Sequence, residues 1–407
     1  MSGASQIVSM STLSPVRVLH SVGSLNRGGI ETWLMHVVRQ HHPDLKMDFI
    51  LGAQPGESGD YEREALAAGC TIYYRHHESR IAKRLRMVGL APTSTKLGDT
   101  LRSGGYDVLH VHGDEFNGDT VKEAFNAGTP VRVAHCHHTK IARGKGGPEM
   151  WVRWARYLTL DRARTLRYAT DLVACGRDAG HLMIGNHWET DARCRVIYCG
   201  VSLASFDAAL TQTSRSELLV RHGLPPNAIV VGHAGSMGPV PVKNHEFLVR
   251  AFAELAKRDS RYYLFMAGDG LLRAKIETEV RDLGIANRVR MPGLLPDVPA
   301  HMAHLFDVHV LPSLSEGLPV VAIEAAAAGL YSILSDRITN ELADHLHGRT
   351  EQLALEAPLA KWADRIEHGI TQRESPLVGI ARVRATPLSI ERSVQDLVDM
   401  YRVRLRG

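Results

Sequence analysis

The stretch SLSEGLPVVAIEAAAAGL holds Glu316 and Glu324, with seven residues between them and Pro319 in the interval. The apolar run Val308–Leu311 predicts a buried strand, then a loop with Glu316 and Gly317, then a helix over Val320–Ala328. Proline suits the first turn of a helix. The free N–H groups there make an anion site at the carboxyl edge of a parallel sheet, where open α/β folds bind ligands. Glu324, about one turn into that helix, can accept two hydrogen bonds from a vicinal diol such as ribose. Taken alone, the pair reads equally well as solvated acids at a helix start. Gly28–Gly29 alone reads as a plain turn, and Lys243 alone as a surface lysine. His112 closes one predicted strand, and His135, His137 and His138 close another. An HxH pair with a third histidine suggests zinc, but no acidic DxD motif accompanies it. For His112 the expectation is structural packing.

The chain has 407 residues, a length that suits two domains of about 200 residues each. Apolar residues make up 44% and charged residues 23%, a balance that argues against a disordered chain. A formal charge of +4 is too mild to mark a nucleic-acid binder. No apolar run approaches the roughly 18 residues of a membrane span, and the N-terminus lacks a secretory pattern. Five scattered cysteines without a CxxC pair point to reduced thiols in the cytosol.

Strand and helix patterns alternate twice along the chain. Val16–His20, Lys46–Leu51, Thr71–Tyr74, Asp107–His112, Val131–His135, Leu172–Cys175 and Arg195–Ile197 read as strands. Helices are expected at Ile30–Gln40, Tyr61–Gly69 and Asp119–Ala127. A second series runs Ile229–Ala234, Tyr262–Ala267, Val289–Met291, Val308–Leu311 and Tyr331–Ser335, with helices at Asn244–Arg258 and Leu271–Leu283. Such alternation implies parallel sheets covered on both faces. The segment 203–215, rich in Ser and Thr, reads as a linker.

Together these pieces resemble the retaining glycosyltransferases of family 4. HSVGSLNRGGIETWL resembles the family's glycine loop, and GPVPVKNHEFLVRAFAEL its lysine loop and following helix. EGLP followed by EA and AGL resembles its two-glutamate signature. MAGDG, RVRMPGLLPDVPAHMAHLFDVHVLPS and SIERSVQDLVDMYR match in the same order, so the resemblance covers nearly the whole chain. YDVLHVH, RVAHCHHT and YATDLVACGRDAG look closest to bacterial exopolysaccharide and capsule members.

The resemblance implies an α/β GT-B fold, two Rossmann-like domains facing across a central cleft. The expected division is a loose extension at 1–14, an acceptor-side domain at 15–205, a nucleotide-sugar domain at 206–385 and a returning C-terminal helix at 386–407. Glu324 would hold ribose hydroxyls. Glu316, with the backbone N–H groups of Gly317 and Leu318, would hold sugar hydroxyls and diphosphate. Lys243 would neutralise the diphosphate, joined by Ser236 beside it. Gly28 and Gly29 would let backbone approach it. His137 would abut the transferring sugar by side chain or backbone, with His135 and His138 as rivals in register.

Two departures stand out. The family usually has Gly-Arg before the lysine, but here Ser236 follows Gly235, leaving Arg27 or Arg337 as candidate replacements. The family's Asn-Gly-Val-Asp is Cys199-Gly200-Val201-Ser202 here.

The expected activity is transfer of a sugar from a UDP- or GDP-linked donor to an acceptor hydroxyl, with retention and without a metal cofactor. The acceptor would be a glycan, free or linked to polyprenyl diphosphate, and the role surface-glycan synthesis. Rival readings are a nucleotide-sugar 2-epimerase using Asp114 and Glu115, and a catalytically weakened nucleotide-sugar-binding protein. Arg80–Met87 carries four basic residues, and Met150–Tyr168 interleaves Trp and Tyr with Arg. They suggest a cytoplasmic protein docking peripherally on anionic membrane.

Overall fold

The computed structural model describes residues 14–52, 59–75, 95–113, 117–137, 155 and 157–406. Within them lie two parallel sheets. The first comprises β1 (Val16–Val22), β2 (Leu45–Leu51), β3 (Ile72–Tyr74), β4 (Val108–His112), β5 (Val131–Cys136), β6 (Asp171–Ala174) and β7 (Cys194–Val196), in the order β3-β2-β1-β4-β5-β6-β7. The second comprises β8 (Ile229–Ala234), β9 (Tyr262–Ala267), β10 (Val289–Gly293), β11 (Val308–Leu311), β12 (Ser332–Ser335) and β13 (Thr350–Leu353), in the order β10-β9-β8-β11-β12-β13. The central strands are buried on both faces, as helical crossovers require, and therefore read as unbroken apolar runs. Strand order reverses between β1 and β4 in the first sheet and between β8 and β11 in the second. Each reversal opens a crevice at the carboxyl ends. This is the doubly wound pair of sheets expected of a GT-B fold.

The boundary drawn at 205/206 falls inside a helix, Ala204–Gln212. Ser and Thr suggested a linker, but Leu203, Phe206 and Ala209 recur every three residues and are buried. The helix belongs with the second unit: Asp207 pairs with Arg384 at 3.0 Å, and His304 Nε2 meets the Ala209 carbonyl at 3.0 Å. The chain crosses back near Ser389, whose carbonyl presses on Gly200 so closely that a Cβ there would lie 2.2 Å away. Gly200 thus serves the crossing. The final helix, Ile390–Arg406, lies on the first sheet. Arg404 reaches fully buried Asp171 with two contacts of 3.0 Å, and Arg402 pairs with Asp44 at 2.7 Å.

One face of β1, β4 and β5 carries five buried histidines. Alternate residues of a strand share a face, so His110 and His112 stand side by side, as do His135 and His137. Their rings stack, with centroids 4.2 Å apart for His110–His112 and 3.9 Å for His135–His137. Helix Gly29–Arg39 covers them with Trp33, and the final helix with Tyr401. Burial keeps these imidazoles neutral. It lowers His20 to about 3 and holds His110, His112 and His135 well below the ordinary value, neighbouring histidines adding to the effect in those three. In the second unit burial lowers His309 to about 3 and His245, at the start of helix His245–Ala256, to about 4, and holds His233 well below 6.5.

These depressed values tie the fold to pH. The unfolded chain takes up protons on these seven groups below about pH 6.5, whereas burial makes the native state resist protonation to lower pH. Stability is therefore lost as pH falls below 6.5. Each group contributes at most about 1.4 kcal/mol per pH unit, or about 10 kcal/mol for all seven, against a total stability of about 5–15 kcal/mol for a typical protein. Melting temperature should fall as pH drops below 6. A melting curve unchanged from pH 7.5 to pH 5 would contradict this account.

Candidate functional site

The loops that leave β8 and β11 flank the second crevice. Lys243 lies in the first and Glu316 in the second, 2.8 Å apart as a largely buried ion pair. A backbone hydrogen bond from Leu314 N–H to the Val242 carbonyl, 2.7 Å, ties the loops together. Helix Val320–Ala327 then starts from Pro319 as N-cap. Its sequence, VVAIEAAA, combines the best helix former with side chains small enough for close packing, and Ala322, Ile323 and Ala325–Ala327 are buried. Gly329, with φ +77°, ends the segment beyond the helix in a conformation that favours glycine.

Glu324 sits five residues into this helix, half-buried beneath the Lys243–Glu316 pair. Burial pushes its carboxyl up to about 7, with the Lys243 charge acting in the opposite direction. The same ammonium lowers His233, His245 and His309. The cleft floor of the second unit is thus one electrostatic neighbourhood centred on Lys243.

From the first unit, Gly28 is the N-cap of helix Gly29–Arg39 in extended backbone. A Cβ on Gly28 would meet only the end of the Glu31 side chain, and one on Gly29 would meet nothing within 4 Å. Protein packing therefore does not demand glycine at position 29. His137, at the end of β5, turns its ring into the core. Its Nε2 lies 3.0 Å from His112 Nδ1, and its Nδ1 lies 3.7 Å from Cys199 Sγ. What it offers the cleft is its carbonyl: a Cβ added to Gly317 would lie 2.2 Å from the His137 oxygen. The ring is thus engaged within the first unit, while the carbonyl faces Gly317. His135 is deeper, fully buried and bonded to His110 at 3.0 Å.

The structure thus brings Lys243, Glu316, Gly317, Leu318 and Glu324 to one crevice and sets the His137 carbonyl against Gly317. Ser236 follows β8 and is exposed. Arg337 is engaged by Glu356 and by Asp336 at 3.4 Å. Arg27 is exposed, and its backbone N–H donates to Asp60 at 3.1 Å. His138, Asp114, Glu115, Arg80–Met87, Trp151 and Trp154 lie outside the described residues. Ring nitrogens of His20, His110 and His112, and of His112, His135 and His137, come within 4.8 Å of one another. These rings stack, at 14° for His110 and His112, so their lone pairs run side by side and meet their neighbours in hydrogen bonds.

A second set of contacts across the cleft escaped sequence reasoning. Glu341 accepts the N–H of Arg177 at the start of helix Arg177–Ile184, and burial pushes its carboxyl up. His345 Nε2 lies 3.0 Å from the Tyr198 hydroxyl. A carboxylate stabilises a helix N-terminus, but nothing in the local sequence says that it comes from 164 residues away.

Comparison with known proteins agrees with this geometry. Residues 27–205 match the model of Glycosyltransferase Family 4, and residues 228–372 match that of Glycosyl transferases group 1. EpsF of Bacillus subtilis (strain 168) is 34% identical over 355 residues, covering 87% of each chain. D-inositol 3-phosphate glycosyltransferase of Salinispora tropica is 28% identical, over 74% of this chain and 64% of its own. A glycosyltransferase from Rickettsia africae ESF-5 superposes with a TM-score of 0.73 at 14% identity, covering 97% of this chain and 100% of its own. Anabaena Alr3699/HepE, solved in complex with UDP, gives 0.73 at 16% identity over 95% and 100%. The chain belongs to the family 4 glycosyltransferases, with their GT-B fold.

Proposed function

We propose that this glycosyltransferase moves a sugar from a nucleotide donor to an acceptor hydroxyl with retention, in exopolysaccharide or other surface-glycan synthesis. The observation that carries the reading is the cluster of Lys243, Glu316 and Glu324 at the second crevice, closed by the His137 carbonyl against Gly317. Solved relatives of the same fold hold UDP and UDP-glucose, and the similarity to EpsF supports the exopolysaccharide role.

In this reading Lys243 exchanges Glu316 for the donor diphosphate. Glu316 is then released to the sugar hydroxyls, along with the N–H groups of Gly317 and Leu318. Glu324 takes the ribose diol, and Gly28, Gly29 and Ser236 border the phosphates. The leaving diphosphate accepts the proton of the attacking hydroxyl on the same face. The protein's part is to position the reactants and stabilise the departing charge. No metal is needed for transfer. The acceptor is a glycan on polyprenyl diphosphate, met at the cytoplasmic leaflet.

Incubating the protein with nucleotide sugars, with and without lipid-linked acceptor, tests the reading. Transfer product with the donor's anomeric configuration is expected, at a rate unchanged by EDTA. Lys243→Ala should slow transfer by about 100-fold or more. Epimer formed without acceptor, or loss of activity in EDTA restored by Mg²⁺, would overturn it.

The Glu324 carboxyl gives a second check. Only its ionised form accepts from both ribose hydroxyls, so nucleotide affinity should rise through pH 7. Glu324→Gln should weaken binding and abolish that rise. The raised pKa also means that ionisation costs native-state stability as pH climbs from about 4.5 to 7. Ligand-free Glu324→Gln should therefore melt progressively higher than the parent over that range. Equal affinity and parallel pH profiles would remove Glu324 from the donor site.

A further inference from the structure

Three histidines and a cysteine form a continuous buried chain beneath the cleft. His20 Nδ1 lies 2.9 Å from His112 Nε2, His112 Nδ1 lies 3.0 Å from His137 Nε2, and His137 Nδ1 lies 3.7 Å from Cys199 Sγ. All four residues are buried, and Trp33 packs against the rings of His112 and His137. Each neutral imidazole has one N–H and one lone pair, so the chain has only two consistent directions. In one, every proton points from His20 toward Cys199. In the other, every proton points back, ending on His20 Nε2, a buried nitrogen with no partner among the described residues. The second direction strands an N–H in the core, whereas the first gives every ring N–H an acceptor and leaves over only a bare lone pair on His20 and the weak S–H donor of Cys199. The first is therefore favoured. It places the proton on Nδ1 of all three rings, with His137 Nδ1–H donating to the Cys199 sulfur.

We propose that His112, backed by His20, is a positioning residue: it fixes the tautomer and orientation of the His137 ring and so holds the His137 carbonyl against Gly317. The chain begins two strands away on β1 and ends after β7, so it spans the first sheet from its switch point to the crossing. His137 has both ring nitrogens in the chain and cannot turn its imidazole toward the cleft without breaking it. A neighbouring chain provides the contrast. Tyr401 on the final helix meets His110 Nδ1 at 2.5 Å, and His110 Nε2 meets His135 Nδ1 at 3.0 Å. His110 is as buried as His112, yet its chain does not include His137.

The inference rests on the glycosyltransfer reading only for its rate readout, and ring-nitrogen NMR tests it without turnover. The native protein should show His137 protonated at Nδ1 in a single tautomer, and His112→Leu should give a mixture. In kinetics, His112→Leu should lower kcat about 100-fold, the loss expected from misplacing a reacting contact by about 1 Å, with nucleotide affinity unchanged. His112→Asn, which keeps a donor near the Nδ1 position, should recover most of that loss. His110→Leu leaves a similar cavity and should lower melting temperature to a similar degree while keeping kcat within a few-fold. Equal kcat losses in His112→Leu and His110→Leu, or a His137 ring protonated at Nε2, would overturn the proposal. Should His112→Leu fail to fold, His112→Asn and His20→Leu carry the NMR comparison, and an unaltered His137 signal in His20→Leu would count against it. Absence of turnover in the unaltered protein would remove the glycosyltransfer reading while leaving the NMR outcome to decide the positioning chain.

Discussion

The carbonyl oxygen of His137 rests against the α-carbon of Gly317, and this approach governs how the two sheets face each other. A Cβ at position 317 would lie 2.2 Å from that oxygen, so any other residue would force the crevices apart. The contact joins the end of β5 to the loop after β11, next to the switch point of each sheet. The Glu341–Arg177 and His345–Tyr198 contacts stand beyond it, where β6 faces β12. The two crossings pair through backbone hydrogen bonds, Val201 N–H to the Leu388 carbonyl at 2.9 Å and Ile390 N–H to the Val201 carbonyl at 3.0 Å. One cleft is thereby closed in register at several points, and Lys243, Glu316 and Glu324 inherit their distance to the first unit from it.

Holding one carbonyl in place asks for a rigid floor, and this protein builds it from polar side chains. A buried imidazole loses its hydration and must stay neutral and hydrogen-bonded to be tolerated. Stacked on three adjacent strands, the histidines hydrogen-bond one another, leaving the Nε2 atoms of His20 and His135 without a partner among the described residues, and the aromatic faces pack as an apolar core would. Alanine or leucine could fill the volume but could not specify ring orientation across strands. The arrangement makes the fold sensitive to acid, because a second proton on any member leaves two N–H groups facing each other.

Much of this architecture is legible in the sequence. Both series of strands appear as short apolar runs, and helix starts are marked by Gly28–Gly29, by Asn244 after Lys243 and by Pro319. The i, i+2 spacing of His110 with His112 and of His135 with His137 places each pair on one strand face. The pairing of those faces is not readable, because register depends on long crossovers such as residues 113–130 between β4 and β5. The same limit hides the Lys243–Glu316 pair, 73 residues apart. Helix Ala204–Gln212 was obscured by its Ser and Thr, since its buried stripe is only Phe206 and Ala209. For His137 the sequence identified the residue but not which of its atoms meets the cleft. That depends on Cys199, 62 residues later, where the usual family motif is altered.

The altered lysine loop has its own logic. With Ser236 in place of the usual arginine, Lys243 is the cation that the lysine loop brings to the proposed diphosphate. In the ligand-free protein that ammonium is held by Glu316 at 2.8 Å. A second cation beside it would be repelled by Lys243 and by any protonated His233, His245 or His309, all of which already feel its charge. A serine adds no such repulsion and keeps a hydroxyl donor. The missing charge must then be offset by hydrogen bonds whose dipoles are fixed before the donor arrives, the N–H groups at the start of helix Val320–Ala327. Preorganised donors of this kind need no rearrangement as charge develops on the leaving group. Their value depends on exclusion of water, and therefore on how tightly the His137 carbonyl and Gly317 keep the cleft shut.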